Sequence, residues 1–264
     1  MSATLSKQEK LLGFSNGGVM SSRSVMQPEL KLLLQAADAQ ADINTLQTLV
    51  VEQDVLHKPS AANRLKTFNF LKRLYGLTIQ QALYREFIRL AKLSPSDFCV
   101  LAGTLAFARE PLLSDCAEMV LAVEVGKSLG REDFEYWIRQ QKPGSFSESM
   151  YISFSHNLYA SFYQLGFLGE AGGKIRIRKR RDVSPAAVAY TAFIDWLNGL
   201  NGMSLLEGKF MKTLELSKDE CLTLLSSAGQ QGLLRVALAG GVLQLDFSSW
   251  LQPAEQRLPM KEAA

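Results

Sequence analysis

Apolar residues recur at helical spacing along most of this chain, and Ser, Pro and Gly cut that pattern into helix-sized lengths. Residues 28–40 (PELKLLLQAADAQ) read as a helix with Pro28 in its first turn. Residues 42–56 (DINTLQTLVVEQDVL) read as a second, with Asp42 as N-cap and Ile43, Leu46, Leu49 and Val50 on one face. Pro59 stops it, Ser60 caps the next helix and Gly76 ends that one, so these two helices, joined by about four residues, predict a helix-turn-helix. Residues 78–92 continue as a helix with Arg85, Arg89 and Lys92 in one stripe, SPSD at 94–97 breaks and recaps the chain, and two or three helices follow to Gln140. Ser145 with Glu148 predicts a capping box for the helix in SESMYISFSHNLYASFYQLGFL, which Gly166 closes. Ser184 and Pro185 open another helix, and Ser217 with Glu220 caps a last one ahead of two strands flanking an Ala-Gly-Gly turn.

A chain divided in this way is mainly α: a helical bundle with helix-turn-helix and winged-helix-like modules and short β-hairpins. The expected organisation is a flexible tail over 1–13, a helix-turn-helix region over 14–92 and a helical middle over 93–140. A winged-helix-like module with a basic wing follows over 141–183, then a helical and hairpin module over 184–251 and a second flexible tail over 252–264.

The stretch GGKIRIRKRRD, residues 172–182, breaks the helical pattern. Ile175 and Ile177 alternate with Lys174, Arg176 and Arg178, the period of a strand with one packed and one solvated face. It follows a helix, a short strand and a glycine turn, which is the layout of a helix and its wing. Lys174, Arg176, Arg178, Lys179, Arg180 and Arg181 are therefore expected on phosphates, which supply affinity without sequence information. The net charge of +3 conceals this concentration. Residues 58–92 hold eight basic residues against one acid, Glu86, and 174–182 hold six against Asp182, whereas 93–173 are net acidic.

In the first basic region the helix after Ser60 has two faces. Phe68, Leu71, Leu74 and Tyr75 fall on one side, and Lys66, Asn69, Lys72 and Arg73 on the other, the make-up of a helix that meets DNA. Lys58 and Arg64 extend that contact set. The helix before the wing carries Tyr151, Phe154, Leu158, Phe162 and Leu165 on one face. Ser149, Ser153, His156, Asn157 and Gln164 lie on the opposite one, and Ser149, Ser153, His156 and Asn157 are candidates for base edges.

Other classes find little support. The N-terminal residues lack the apolar core of a secretory signal, no apolar run reaches the ~18 residues of a membrane span, and the location expected is cytoplasmic. Cys99, Cys116 and Cys221 are far apart and odd in number, as in reduced buried thiols. His57 and His156 lack the spacing of a metal site or a triad, and GGV, GG and GG at 17–19, 172–173 and 240–241 lack the context of a phosphate loop. No catalytic residue, metal or cofactor is expected.

Three stretches together resemble a known family: FSNGGVMSSRSVM, VLHKPSAANRLKTFNFLKRLYGL and FSESMYISFSHNLYASFYQLGFL. They are similar to segments of the BrxA family, small accessory proteins of bacterial bacteriophage-exclusion (BREX) defence operons. The likeness continues through RIRKRRDVSPAAVAY. Phe146 stands where the family commonly has Trp, and Met150 where it has Thr. The resemblance implies a non-enzymatic helical protein with winged-helix-like parts, which binds DNA and acts beside a methyltransferase, a phosphatase-like protein and an ATPase. A helical likeness to an RNA antitermination factor keeps RNA open as a ligand.

The expected function is thus a DNA-binding accessory protein of phage defence with double-stranded DNA as partner. The alternatives are an adaptor whose basic wing docks an acidic protein of the defence complex, and an RNA-binding protein. No membrane partner is expected.

Overall fold

The structure, a computed structural model, describes residues 6–172 and 175–257. Helices α1 (Lys7–Leu12), α2 (Gln27–Ala36), α3 (Ile43–Val51), α4 (Ala61–Tyr75) and α5 (Ala82–Leu93) lead to the apolar α6 (Phe98–Arg109). After it come α7 (Pro111–Leu121), α8 (Arg131–Gln141) and α9 (Glu148–Gln164), then the antiparallel pair β1 (Leu168–Glu170) and β2 (Arg176–Arg178). The second half holds α10 (Pro185–Leu197), α11 (Lys209–Lys212), α12 (Lys218–Gln230), the hairpin β3 (Arg235–Ala239) and β4 (Val242–Asp246), and α13 (Pro253–Gln256). The fold is mainly α with short β-hairpins, as the periodicity predicts.

Local sequence sets most helix starts. Asp42, Ser60 and Ser184 accept backbone N–H bonds as N-caps, and Ser217 with Glu220 forms a reciprocal capping box. Gly240 and Gly241 both have positive φ (57° and 77°), as the tight turn joining β3 to β4 requires. Several boundaries differ from expectation. Helix α2 stops at Ala36, where the chain turns extended at Ala37, and the cap of α9 is Ser147, not Ser145. Nine residues, 52–60, separate α3 from α4, too many for the 3–4-residue turn of a helix-turn-helix.

Of the segments read as tails, residues 6–13 and 252–257 carry structure, and 1–5 and 258–264 lie outside the described residues. Ser6 and Glu9 form a capping box that starts α1, and Leu12 is buried. At the other end the carboxylate of Glu255, on α13, is buried against Arg85 at 2.6 Å. The expected stripe of Arg85, Arg89 and Lys92 is largely the seat of this segment. Arg85 donates to the Trp250 carbonyl, and Arg89 lies over the Trp250 ring.

One apolar core joins the chain from Leu12 to Leu251. Its centre is α6, buried on nearly every side and touching α2, α4, α5, α7, α10 and α11. Each fully buried Leu or Phe there contributes ~1.5–3 kcal/mol. Arg109, the last residue of α6, sends its guanidinium to the carbonyls of Gly13, Arg73 and Leu74. It thereby caps the C-terminus of α4 from inside the core and fixes how that helix is presented. Burial draws this guanidinium down to about 10.

A second buried group gives a pH signature. Asp195 of α10 accepts the N–H groups of Phe210 and Met211, and burial raises its carboxyl to about 7. The unfolded value is about 3.9, so between those limits the folded chain holds a proton that the unfolded chain has lost. This contribution to stability is full below about pH 4, falls as pH rises, and is lost above about pH 7, by about 2–4 kcal/mol. Urea midpoints taken from pH 4 to 8 should show a decline over that window that flattens in Asp195→Asn.

Candidate nucleic-acid interface

The wing is built differently from its sequence expectation. Leu168 pairs with Arg178, and Glu170 with Arg176. A third segment joins the pair: Ser128 bridges Ile177, Arg178 N–H donates to the Lys127 carbonyl, and the N–H groups of Gly126 and Leu129 donate to the Arg178 and Arg176 carbonyls. The alternation of isoleucine and arginine is real, but the packed face belongs to arginine. Ile175 is 61% exposed, whereas Arg178 is 0% exposed. The Arg178 guanidinium donates to the carbonyls of Val120, Phe167 and Lys179 and pairs with Glu215. A planar fork of five donors can be satisfied in an interior in this way.

Arg181 is likewise buried. It donates to the Thr213 carbonyl at 2.8 Å and lies over the Phe167 ring, and burial lowers it to about 10. Neither Arg178 nor Arg181 is placed to hold a phosphate. Arg180 is exposed but pairs with Glu220 at 2.9 Å. Arg176 is half-buried with its guanidinium 3.5 Å from the centre of the Tyr163 ring and 4.8 Å from that of Tyr159. Lys179 is exposed and makes no ion pair among the described residues. Lys174 lies outside them.

The polar face of α9 is also mostly used internally. Ser153 donates to the Ser21 carbonyl, and Asn157 to that of Met20. Ser161 accepts from Val25 N–H, and Gln164 accepts from Gln27 N–H while donating to the Ser24 hydroxyl. This face clamps the loop that follows Gly17 and Gly18, and Glu110 holds the loop from the other side by accepting Val19 N–H at 2.7 Å. Ser153 and Asn157 therefore do not reach base edges. Ser149 stays exposed beside Ser147, and His156 stays exposed with its Nε2 2.7 Å from Arg131 Nη1. A guanidinium only donates, so His156 is the acceptor in that contact.

The first basic region stands out by contrast. On α4, Lys66, Asn69, Lys72 and Arg73 are all exposed, while Thr67, Phe68, Leu71, Leu74 and Tyr75 face the core. Lys66, Lys72 and Arg73 form no ion pair among the described residues, although Arg73 Nε donates to the Gly17 carbonyl at 3.0 Å. No carboxylate residue occurs between Asp54 and Glu86. Lys58 and Arg64 are partly neutralised, by Glu29 at 2.9 Å and Asp54 at 3.2 Å. Arg23 lies over the Phe70 ring of α4, so the loop clamped on α9 also touches the basic helix.

Sequence reasoning missed Arg23, Arg131 and the tyrosines under Arg176. It also missed Glu215 and Glu220, the carboxylates that occupy the wing. Only proximity across many residues reveals these, and no local signal marks them. No group of three metal-ligating side chains occurs among the described residues. No helix among them is long and apolar enough to cross a membrane. No protein-family model matches the chain, and no curated protein matches it at a significant level.

Proposed function

We propose that this chain is a non-enzymatic, cytoplasmic protein that binds double-stranded DNA, with α4 as the principal contact element. The observation that carries the reading is the solvent face of that helix. Lys66, Asn69, Lys72 and Arg73 are exposed there without carboxylate neighbours in the surrounding sequence, on a helix whose C-terminus Arg109 pins to the core. Cations held at a fixed surface position displace counterions from a phosphate backbone, and an amide beside them can reach a base edge.

The order of residues 111–178 supports a second contact element. Helix α7, the segment at 126–129, helices α8 and α9, and strands β1 and β2 follow one another with the middle segment paired to β2. That is the order of a winged helix. Its outward groups are Arg131, His156, Arg176 and Lys179 rather than the whole run of arginines. A place beside other defence proteins rests on the sequence resemblance to the BrxA family alone.

Fluorescence anisotropy with a random-sequence duplex, the matching single strand and an RNA duplex tests the proposal. DNA duplex is expected to bind tightest and to weaken as salt rises. The Ser153→Ala/Asn157→Ala variant is expected to bind it as the wild type does, since those side chains hold the 19–26 loop. Tighter binding to single strand or RNA, or no binding at all, overturns the reading.

A further inference from the structure

A cavity of about 150 Å³ opens between α2, the 37–42 turn, α3 and the outer side of α5. Its buried lining is Leu46, Tyr84, Ile88 and Phe98. Helix α2 ends at Ala36, beside the cavity. The chain turns extended at Ala37, and Ala37, Ala39 and Ala41 of the turn line the cavity.

Two features mark this as more than a packing defect. Tyr84 is 3% exposed, yet its hydroxyl has no hydrogen-bond partner among the described residues. The hydroxyl oxygen is not sealed from solvent, so water reaches it, and a ligand acceptor can take the place of that water. At the rim stand Lys31 and Lys92, both exposed and in no ion pair among the described residues, against one carboxylate, Asp38. The rim is net positive and the interior apolar.

We infer that this cavity is a binding site for a small carboxylate with an apolar body, an aromatic ring or a branched chain. The size sets the body, because about 150 Å³ accommodates one benzene-sized group. The lysines take the carboxylate at the mouth, and the Tyr84 hydroxyl donates to a ligand acceptor. Leu46 comes from α3, which packs on the basic helix α4, so an occupied cavity abuts the element next to the proposed DNA contact. The assignment does not depend on DNA binding.

Titration of the full chain with phenylacetate, followed by NMR chemical shifts, tests it. About ten heavy atoms at ordinary ligand efficiency give a Kd of about 1 mM. Benzyl alcohol, of similar size and neutral, is expected to bind about ten-fold more weakly, and Lys31→Gln/Lys92→Gln is expected to remove that preference. Ala91→Phe fills the cavity and should abolish binding of both probes. The exposed lysine pair keeps the test valid even if the filled variant fails to fold. No saturable binding of phenylacetate to wild type, equal binding of the two probes, or unchanged phenylacetate affinity in the lysine variant overturns the assignment.

Discussion

Arg178→Ala is expected to lower the unfolding free energy by about 3–5 kcal/mol, the usual cost of removing one partner of a buried ion pair. The substitution leaves the Val120 and Phe167 carbonyls without this donor and the Glu215 carboxylate without its cation. Arg178→Lys should recover only part of the loss, since an ammonium cannot reproduce the planar fork. Lys179→Ala, one residue away and exposed, should stay within about 0.5 kcal/mol of wild type. Urea unfolding of the three variants checks the order. A small effect for Arg178→Ala would mean that this arginine faces water, as the sequence alone suggested.

Lys66→Glu/Lys72→Glu should weaken duplex binding by about 100-fold at low salt, through two lost phosphate contacts and two introduced repulsions. Both residues are exposed and in no ion pair among the described residues, so the unfolding midpoint should move little. The same reversal at Arg180 frees Glu220 from its partner and should change binding less. Anisotropy at fixed salt, with unfolding measured in parallel, separates lost contact from lost fold.

How much was readable in advance depends on how local the cause was. Asp42, Ser60, Ser184 and Ser217 cap helices through N–H groups two or three residues away, and each cap is legible in the sequence. The two faces of α4 follow from its own period of 3.6. The wing failed where its partners lay elsewhere. Alternation gave the strand period, but Glu215, Val120 and Thr213 decided that Arg178 and Arg181 turn inward. The polar face of α9 was read as free because nothing nearby could pair with it. Its partners are the backbone groups of residues 20–27, well over a hundred positions away in the sequence. Helix α13 was read as a tail for the same reason, since Arg85 fixes Glu255 from 170 positions away; α1 is different, because its Ser6–Glu9 box is local and was overlooked.

The most direct test of α4 as the contact helix is the salt dependence of duplex affinity for wild type and for Lys66→Gln/Lys72→Gln. Each phosphate contact contributes about −0.9 to the log–log slope. The account predicts a slope shallower by about 1.8 in the variant, with a smaller change in Lys179→Ala/Arg180→Ala. An unchanged slope in the α4 variant, with the loss appearing in the wing variant instead, would contradict it.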